Sequence, residues 1–335
     1  MDVADLDYLL PESAIAQRPV EPRDAARLLV DLGPGAEPSH TTVTNLPELL
    51  EPGDLLVVND TRVRRARLRL TRATGGAVEV LLLDPLGPGR WDALVRPSRK
   101  VAPGTRLGGP HGLEVVVADD LGDGHRVVEV VAGDPDVAGE VPLPPYIHEA
   151  LDDPERYQTV YARRPASTAA PTAGLHLTDG VLAACAARGV AVVAVELVVG
   201  LDTFRPITEA TVEEHPIHTE HYDVPAATWD AVRLTREAGG RVVAVGTTAV
   251  RALESVAARG PLAGRTDLLI RPGHEWAVVD RLLTNFHVPR TTLLALVAAF
   301  VGPRWRDLYA TALDDGYRFL SFGDACLLTR SEVRR

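Results

Sequence analysis

Apolar and polar positions follow three different patterns along the chain. In residues 1–62, the pattern predicts a short helical segment over 12–17, followed by a loop that contains several prolines. An apolar run later spans 55–58. That run ends in Asn59 and Asp60. A short continuous apolar run followed by polar residues predicts a buried strand of an α/β sheet, whose carboxyl end is a favoured place for a ligand.

Residues 63–149 consist of short segments in which apolar and polar residues alternate. Glycine, proline and aspartate separate the segments, which are ARLRLTRA, AVEVLLLD, WDALVRP, LEVVVAD and HRVVEVVAG. Alternating strands at such close spacing predict a small antiparallel β-barrel or sandwich. Because α/β patterns stand on both sides of this part, we interpret it as a domain inserted into another.

From about residue 150 the α/β pattern returns. The apolar strands VAVVAVELVV, RVVAVG and TDLLI alternate with the helical stretches DGVLAACAARG, ATWDAVRLTREAGG and TTAVRALESVAARG. This alternation is typical of layered α/β domains. The predicted fold is therefore a layered α/β domain, residues 1–62 and 150–335, interrupted by a small antiparallel β-barrel domain at 63–149.

The longest apolar run does not predict a membrane protein. It extends from Leu293 to Val301, which is far shorter than the roughly 20 residues that a spanning helix needs. The N-terminus, MDVADLDYLL, is acidic where a signal peptide is basic. We expect no membrane partner and a cytoplasmic location.

Composition narrows the classes of function. A length of 335 residues favours two domains, and a net charge of −11 opposes unspecific attraction to a polyanion without forbidding a local basic face. Cys185 and Cys326 are far apart, so neither a disulfide framework nor a zinc–cysteine site is expected. The motifs GxGxxG, GxxxxGK[ST] and GxSxG are absent, so nothing supports a nicotinamide dehydrogenase, a P-loop NTPase or a serine hydrolase.

Polar clusters stand immediately before three predicted helices, at 169–178, 246–255 and 284–292. Helix N-termini with hydroxyls and free N–H groups suit phosphate, carboxylate or ribose oxygens. The alternative for each cluster is an ordinary capped turn, with Thr178 capping the first helix and Thr291 or Thr292 the third.

Two further clusters contain charged groups. Arg251 lies in the first turn of the second of these helices, where a cation opposes the helix dipole, so we expect a partner such as an internal carboxylate. The stretch 317–325 combines aromatic residues, arginine and aspartate. It suits the framing of a base or sugar, and equally a last strand with its turn.

Three histidines, His215, His218 and His221, stand at i, i+3 and i+6 and invite a metal interpretation. Pro216 disfavours a regular helix, and in an extended chain i and i+3 point to opposite faces. We therefore predict no metal site here.

A basic stretch extends from Arg62 to Arg72, with arginine alternating with small or apolar residues. Several guanidinium groups then share one face of a strand and can bind nucleic-acid phosphates. The alternative is a solvated strand face neutralised by nearby acids.

Eight motifs appear in sequence order: DYLLPESAIAQRPVEPRDAARLLV, PGDLLVVNDTRV, PLPPYI, ERYQTVYA, AAPTAGLHLT, AVGTTAVRALES, LLTNFHVPRTTLLALVAAFVG and GYRFLSFGDACLL. Each is weak alone. Together, over nearly the whole chain, they resemble the S-adenosylmethionine:tRNA ribosyltransferase-isomerase family of queuosine biosynthesis.

The resemblance implies a reaction, its partners and a fold. The ribosyl part of S-adenosylmethionine moves to the aminomethyl group of 7-aminomethyl-7-deazaguanine at the wobble position of a tRNA with a GUN anticodon. Adenine and methionine leave, and epoxyqueuosine remains. S-adenosylmethionine is a co-substrate, with no metal or other cofactor, and the implied fold is an α/β domain interrupted by a β-barrel.

The resemblance also selects site residues. A general acid and base are expected among His176, His218 and His287, which lie in matching motifs. The expected substrate-binding residues are Asn59, Asp60, Thr61, Arg62, Thr172, Gly174, Thr178, Gly246, Thr247, Thr248, Arg251, Asn285, Thr291, Thr292, Tyr317, Arg318 and Asp324. The expected tRNA-binding residues are Arg64, Arg65, Arg67 and Arg69.

The chain departs from the family pattern at several positions. Val198 stands where a histidine is expected, Asp202 where a glycine is expected, His274 in place of a tyrosine and Cys326 in place of a methionine. Two alternatives therefore stand beside the main hypothesis. One is a divergent paralogue that uses S-adenosylmethionine with a different acceptor, and the other is a non-catalytic tRNA-binding protein.

Overall fold

The computed structural model of the protein describes residues 1–122, 124–200, 206–217 and 219–331. The chain folds into two units. One consists of Met1–Arg62, Pro144–Arg164 and Ala170–Arg335, and the other of Val63–Leu143 and Pro165–Ala169.

A mixed sheet forms the centre of the first unit. Its strands, numbered along the whole chain, are β1 (Arg27–Val30), β2 (Ser39–Thr42), β3 (Leu55–Asn59), β12 (Ala191–Leu197), β13 (Glu220–Asp223), β14 (Val242–Val245), β15 (Ala263–Thr266), β16 (Arg281–Asn285) and β17 (Ala325–Thr329). They lie in the order β15-β13-β12-β3-β14-β16-β17-β1-β2. The central four, β12, β3, β14 and β16, are parallel neighbours, so their carboxyl ends share one edge of the sheet.

Helices cover this sheet. They are α1 (Leu46–Leu49), α3 (Asp179–Ala187), α4 (Ala226–Glu237), α5 (Thr247–Arg259), α6 (Thr292–Val301) and α7 (Trp305–Asp314). A single residue, Gly246, separates β14 from α5, whereas a longer loop joins β16 to α6. The apolar α6 ends at Gly302, whose φ of 68° continues no helix. Over the described ranges, no helix combines the length and apolar character that crossing a membrane requires.

Apolar side chains fill the spaces on the two faces of the sheet. Leu28, Leu56 and Val181 belong to one buried cluster beneath α1 and α3. An aromatic cluster forms elsewhere in the unit, where the rings of Phe286 and Phe319 stack with centroids 4.7 Å apart. The cluster fixes the first residue after β16 and thereby the start of the loop that leads to α6.

The second unit is a closed barrel. The strands that the chain forms between β3 and β12 are β4 (Arg62–Val63), β5 (Arg67–Arg72), β6 (Ala77–Gly87), β7 (Arg90–Arg96), β8 (Arg106–Gly108), β9 (Glu114–Gly122), β10 (His125–Ala132) and β11 (Pro165–Ser167), and a short helix α2 spans Pro135–Ala138. Six of them close in the order β10-β7-β6-β5-β8-β9, with antiparallel pairing, while β4 pairs with β11. Along β5, Leu68 and Leu70 are buried, which leaves Arg67 and Arg69, at alternate positions, on the outer face.

The predicted fold class, a layered α/β domain with an inserted antiparallel barrel, is confirmed. Two local predictions are wrong. Only Glu12–Ala14 forms a short 3₁₀ turn, because Ile15 already pairs with Phe319 as an extended bridge. The segment 266–270 is not a strand beyond Thr266. Side chains replace its sheet partners: Thr266 Oγ1 accepts from the N–H of Leu268, and Arg251 Nε donates to the carbonyl of Leu268.

Candidate active site

A cleft opens at the carboxyl ends of the parallel strands in the first unit. The space inside it, counted together with its open mouth, is about 570 Å³. The start of α5 (Gly246, Thr247 and Thr248) forms one wall, and the end of β16 with its following loop (284–288) forms another. This is the edge at which open α/β sheets place ligands.

Segments distant in sequence complete the cleft. The remaining lining residues are Tyr146, Ala170, Pro171, Thr172, Ala173, Val199, Thr291, Leu293, Leu320 and Ser321. None of the lining residues of this cleft, as the structure describes it, is Arg, Lys, Asp or Glu. Its polarity therefore comes from hydroxyls, one amide, one imidazole and backbone groups.

Asn285 is the centre of a hydrogen-bond chain behind this wall. Its Oδ1 accepts from the Thr172 hydroxyl at 2.9 Å, and its Nδ2 donates to His176 Nε2 at 3.0 Å. Nε2 of His176 therefore carries no proton, and the neutral ring holds its proton on Nδ1. Burial, aided by the charge of Arg318, lowers the pKa of His176 to about 4.

His287, unlike His176, lines the cleft itself. Its Nε2 lies 3.0 Å from the Thr284 hydroxyl, and burial lowers its pKa to about 3. Two tyrosines fix its backbone: Tyr8 donates to its carbonyl, and its N–H donates to Tyr309 Oη at 3.1 Å. The ring is thus a rigidly held neutral imidazole in contact with the cleft.

Helix starts near the cleft are capped in different ways. Thr178 Oγ1 accepts from the N–H of Val181 at 3.2 Å and caps α3, and Thr291 Oγ1 accepts from the N–H of Leu294 at 3.3 Å and caps α6. Both caps confirm the turn interpretation of those clusters. Gly246, with φ of 86°, precedes α5 and has no side chain with which to cap it.

Arg251 does not line the cleft. Its guanidinium forms an ion pair with Glu220 of β13, and only 14% of the Arg251 side chain and 8% of the Glu220 side chain are exposed. The internal carboxylate expected as the partner of Arg251 is therefore confirmed, although α5 begins at Thr247 and Arg251, its fifth residue, lies just beyond the first turn. Burial lowers the pKa of Arg251 to about 10.

The predicted residues 59–62 lie outside the cleft wall. Asn59 bonds the backbone of Leu197 with both ends of its amide, at 3.0 and 3.1 Å. Asp60 pairs with Arg163 at 3.5 Å, and burial raises its pKa. Thr61 is buried, and Arg62 pairs with Glu155 at 2.5 Å. The Asn59 amide thus holds β3 to β12, and a substrate-binding role for 59–62 stays a prediction.

The predicted residues of 317–324 support the cleft from behind. Asp324 accepts from the backbone N–H groups of Arg27 and Arg318 at 2.9 and 2.8 Å. The Tyr317 ring packs edge-on against Phe286, a lining residue, with centroids 5.7 Å apart. Arg318 also donates to the carbonyl of Arg18 at 3.2 Å. Their direct contact with substrate stays a prediction.

Gly174 and Thr292 are also absent from the cleft lining. Gly174 is nonetheless constrained, since a Cβ on it would lie 2.0 Å from Tyr161 Oη. The predicted His218 and the departure at Asp202 lie outside the described residues. The neighbouring His215 faces Glu209 at 2.8 Å, and His221 faces Arg265 at 3.1 Å.

The predicted tRNA-binding arginines lie in the barrel unit, and most of them already have acidic partners. Arg64 pairs with Asp136 at 3.4 Å, Arg67 with Glu79 at 3.8 Å and Arg69 with Glu140 at 2.9 Å. Arg65 is exposed, and no ion pair of the described residues includes it. Nearby acids thus partly neutralise this arginine-rich face, as the alternative interpretation of the basic stretch expected. Its role in tRNA binding stays a prediction.

Several lining residues escaped the sequence-based prediction. Tyr146 and Ser321, whose hydroxyls lie 2.7 Å apart, belong to PLPPYI and FLSFGD, two motifs that carry the resemblance. Val199 and Phe286 look like ordinary core residues in sequence. Three of the positions that depart from the family pattern lie in the described residues. Val198 does not line the cleft, although Val199 does. His274 lies 3.6 Å from Glu254, and Cys326 Sγ donates to the carbonyl of Thr284 at 3.5 Å.

The fold and the cleft define a class of protein, an α/β protein with a neutral polar site at the carboxyl ends of its parallel strands and a closed barrel inserted in its sequence. The model of the family described as "Queuosine biosynthesis protein" matches residues 3–328, and the chain belongs to this family.

Relatives are similar over their whole length. A protein of Rubrobacter xylanophilus named S-adenosylmethionine:tRNA ribosyltransferase-isomerase is 49% identical over 98% of this chain and 98% of its own. One of the same name from Anaeromyxobacter sp. (strain Fw109-5) is 50% identical over 99% of this chain and 100% of its own. The crystal structure of S-adenosylmethionine tRNA ribosyltransferase from Thermotoga maritima matches with a TM-score of 0.57 and 38% identity, covering 96% of this chain and 99% of that one.

Proposed function

We propose that the protein transfers and isomerises the ribosyl moiety of S-adenosylmethionine onto 7-aminomethyl-7-deazaguanine at the wobble position of a tRNA with a GUN anticodon. The products are epoxyqueuosine-tRNA, adenine and methionine. The observation that carries this proposal is the match of residues 3–328 to the queuosine biosynthesis family, together with relatives of about the same length that are named S-adenosylmethionine:tRNA ribosyltransferase-isomerase.

The chemistry of the proposed reaction suits a site without charged walls. The sulfonium makes the 5′ hydrogens of the ribose acidic, so a base can remove one and leave an ylide that expels adenine. The neutral amine of the deazaguanine then attacks the sugar and loses a proton, and closure of the epoxide expels methionine. Adenine takes up a proton as it leaves, whereas methionine leaves the sulfonium as a neutral thioether, so correctly placed proton donors and acceptors are required.

His287 is the strongest candidate for the proton acceptor among the described residues. It lines the cleft, and its low pKa leaves the imidazole unprotonated at neutral pH. His176 differs, because its Nε2 lone pair already accepts a hydrogen bond from Asn285 and its ring does not line the cleft. We assign His176 the positioning of Asn285, with His287 closer to the reacting atoms.

The test is incubation with S-adenosylmethionine and a tRNA that carries the deazaguanine precursor, followed by chromatography of free adenine and mass spectrometry of the modified nucleoside. We expect adenine release that depends on this tRNA. His287→Asn should lower kcat by about 100-fold or more, as loss of a general base does. The matched control His221→Asn changes an exposed imidazole and should keep the wild-type rate.

The alternatives give different results in the same assay. Adenine release with another acceptor, and none with the deazaguanine-tRNA, indicates a divergent paralogue. Binding of tRNA without adenine release under any condition indicates a non-catalytic binding protein. A wild-type rate in His287→Asn removes this histidine from the mechanism.

A further inference from the structure

The start of α5 is an open helix end that faces the cleft. The first turn of any helix contains N–H groups without an intrahelical carbonyl, and a side chain at the N-cap normally bonds one of them. Thr291 does this for α6, but Gly246 cannot do it for α5. Within the described residues, the N–H of Val250 is the first in α5 that bonds a carbonyl of the preceding turn, that of Gly246 at 3.3 Å. The turn before it, with Thr247 and Thr248, lines the cleft.

A second observation at the same place points to a ligand. Thr248 is only 7% exposed, and its Oγ1 has no hydrogen-bond partner among the residues that the structure describes. A buried hydroxyl without a partner is costly, so native proteins almost always supply one. This hydroxyl lies 3.6 Å from the position that a Cβ on Gly246 would occupy, beside the open turn.

Small residues keep this turn accessible. Gly246 adopts φ of 86°, a conformation that residues with a side chain rarely take. The same missing Cβ would also lie 3.6 Å from the side chain of Ala173, another small lining residue. A ligand can therefore approach the backbone of the turn closely.

The charge of the cleft indicates which group the turn binds. Since the lining residues include no charged side chain, the positive end of the α5 dipole is the main electropositive feature of this wall. It is equivalent to roughly half an elementary charge, which matches one carboxylate better than a doubly charged phosphate. Phosphate sites typically add arginine or lysine, and the described lining contains neither.

We infer, resting on the proposed function, that the first turn of α5, Gly246 to Thr248, binds the α-carboxylate of the methionine half of S-adenosylmethionine, with the Thr248 hydroxyl donating a hydrogen bond to it. The carboxylate takes no part in bond making or breaking. Its binding energy is therefore the same in the ground state and the transition state, and it acts on KM and leaves kcat unchanged.

The experiment compares S-adenosylmethionine with its decarboxylated analogue, S-adenosylmethioninamine. Dissociation constants come from equilibrium dialysis, and kcat and KM from adenine release. Wild type should bind S-adenosylmethionine about tenfold or more tightly than the analogue, the size of a hydrogen bond to a charged group. Thr248→Val should weaken the binding of S-adenosylmethionine and so remove most of this preference. The affinity for the analogue and kcat should stay within about twofold of wild type.

Two control variants separate the hydroxyl from the general effect of a buried threonine. Thr248→Ser keeps the hydroxyl and should keep the preference. Thr228→Val changes another buried threonine near a helix start, whose Oγ1 donates to the carbonyl of Ala194 at 2.8 Å outside the cleft. It should also keep the preference.

Equal affinity of wild type for the two compounds overturns the inference, as does a preference that survives in Thr248→Val. The first of these comparisons does not depend on any variant folding. Adenine release at equal kcat/KM from both compounds leaves the proposed function standing and removes the carboxylate site. A carboxylate preference in binding without adenine release supports the site and contradicts the proposed function.

Discussion

Single residues at the cleft owe their chemistry to burial. His176 and His287 have no acidic partner in the described part of the chain, and burial lowers their pKa to about 4 and about 3. In the unfolded chain a histidine has a pKa near 6.5. The folded protein therefore binds fewer protons than the unfolded one between these values. Keeping two buried imidazoles neutral thus has a consequence for stability.

We predict that the free energy of unfolding falls as the pH falls below about 6.5. Each of the two histidines contributes stability that is fully present above 6.5 and is lost toward its folded pKa, with a slope of up to about 1.4 kcal/mol per pH unit. His287→Asn should remove about one such slope. Urea unfolding at several values between pH 5 and 7.5, followed by tryptophan emission, measures it.

The control for this prediction is His221→Asn, which changes an exposed imidazole and should reproduce the wild-type pH dependence. Carboxylates titrate in all three proteins and cancel in the comparison. Parallel plots of unfolding free energy against pH for wild type and His287→Asn would contradict the prediction.

At the scale of elements, the Arg251–Glu220 ion pair joins the N-terminal half of α5 to β13. We predict that Glu220→Gln destabilises the protein by about 3 kcal/mol, because it leaves a buried guanidinium without its carboxylate. Adding Arg251→Met should recover part of the loss, since no unpaired cation then remains. Thermal or urea unfolding of the two single variants and the double variant gives the coupling energy.

An exposed pair on α4 serves as the comparison. Asp230 and Arg233 lie 3.0 Å apart with side chains 62% and 55% exposed, and Asp230→Asn should cost less than about 1 kcal/mol. Similar losses in Glu220→Gln and Asp230→Asn would show that the buried pair has no special weight. A double variant less stable than Glu220→Gln would do the same.

Elements with a clear period were the predictable ones. The patterns of RVVAVG and TTAVRALESVAARG place β14 and α5 within a residue or two, because each buries one continuous apolar run or stripe. They do not reveal β8 of the barrel, since Arg106–Gly108 is too short to show an alternation. They also extend β15 too far, because side-chain hydrogen bonds replace the sheet beyond Thr266.

The candidate site was predictable where polar residues precede a helix, and less so elsewhere. Thr248 and Asn285 belong to polar clusters next to predicted helices, His287 lies in a motif that carries the family resemblance, and all three line the cleft. Tyr146 and Val199 were missed, since only tertiary packing brings them to the cleft. Asn59 was selected for its place at a strand end, where its amide instead bonds the neighbouring strand.

For the whole molecule, the net charge of −11 means that any tRNA binding requires a local basic surface. The outer face of the barrel is the candidate, with Arg69 held by Glu140 at 2.9 and 3.0 Å and Arg65 exposed. An arginine that is already paired contributes less to phosphate binding than an unpaired one. The acids of this face therefore matter as much as its arginines.

We predict opposite effects of two substitutions on this face. Arg65→Ala should weaken tRNA binding and lower the slope of log Kd against log salt by about one, the value for one lost phosphate contact. Glu140→Gln should release Arg69, strengthen binding and steepen the slope. Filter binding or fluorescence anisotropy between about 50 and 200 mM salt measures both, with Arg233→Ala on α4 as the matched control for loss of a surface arginine. A change in net charge alone would alter the slope in Arg233→Ala as well, so a slope that changes only with the barrel variants indicates a contact on the barrel. Identical slopes in wild type, Arg65→Ala and Glu140→Gln would instead place the tRNA on another surface.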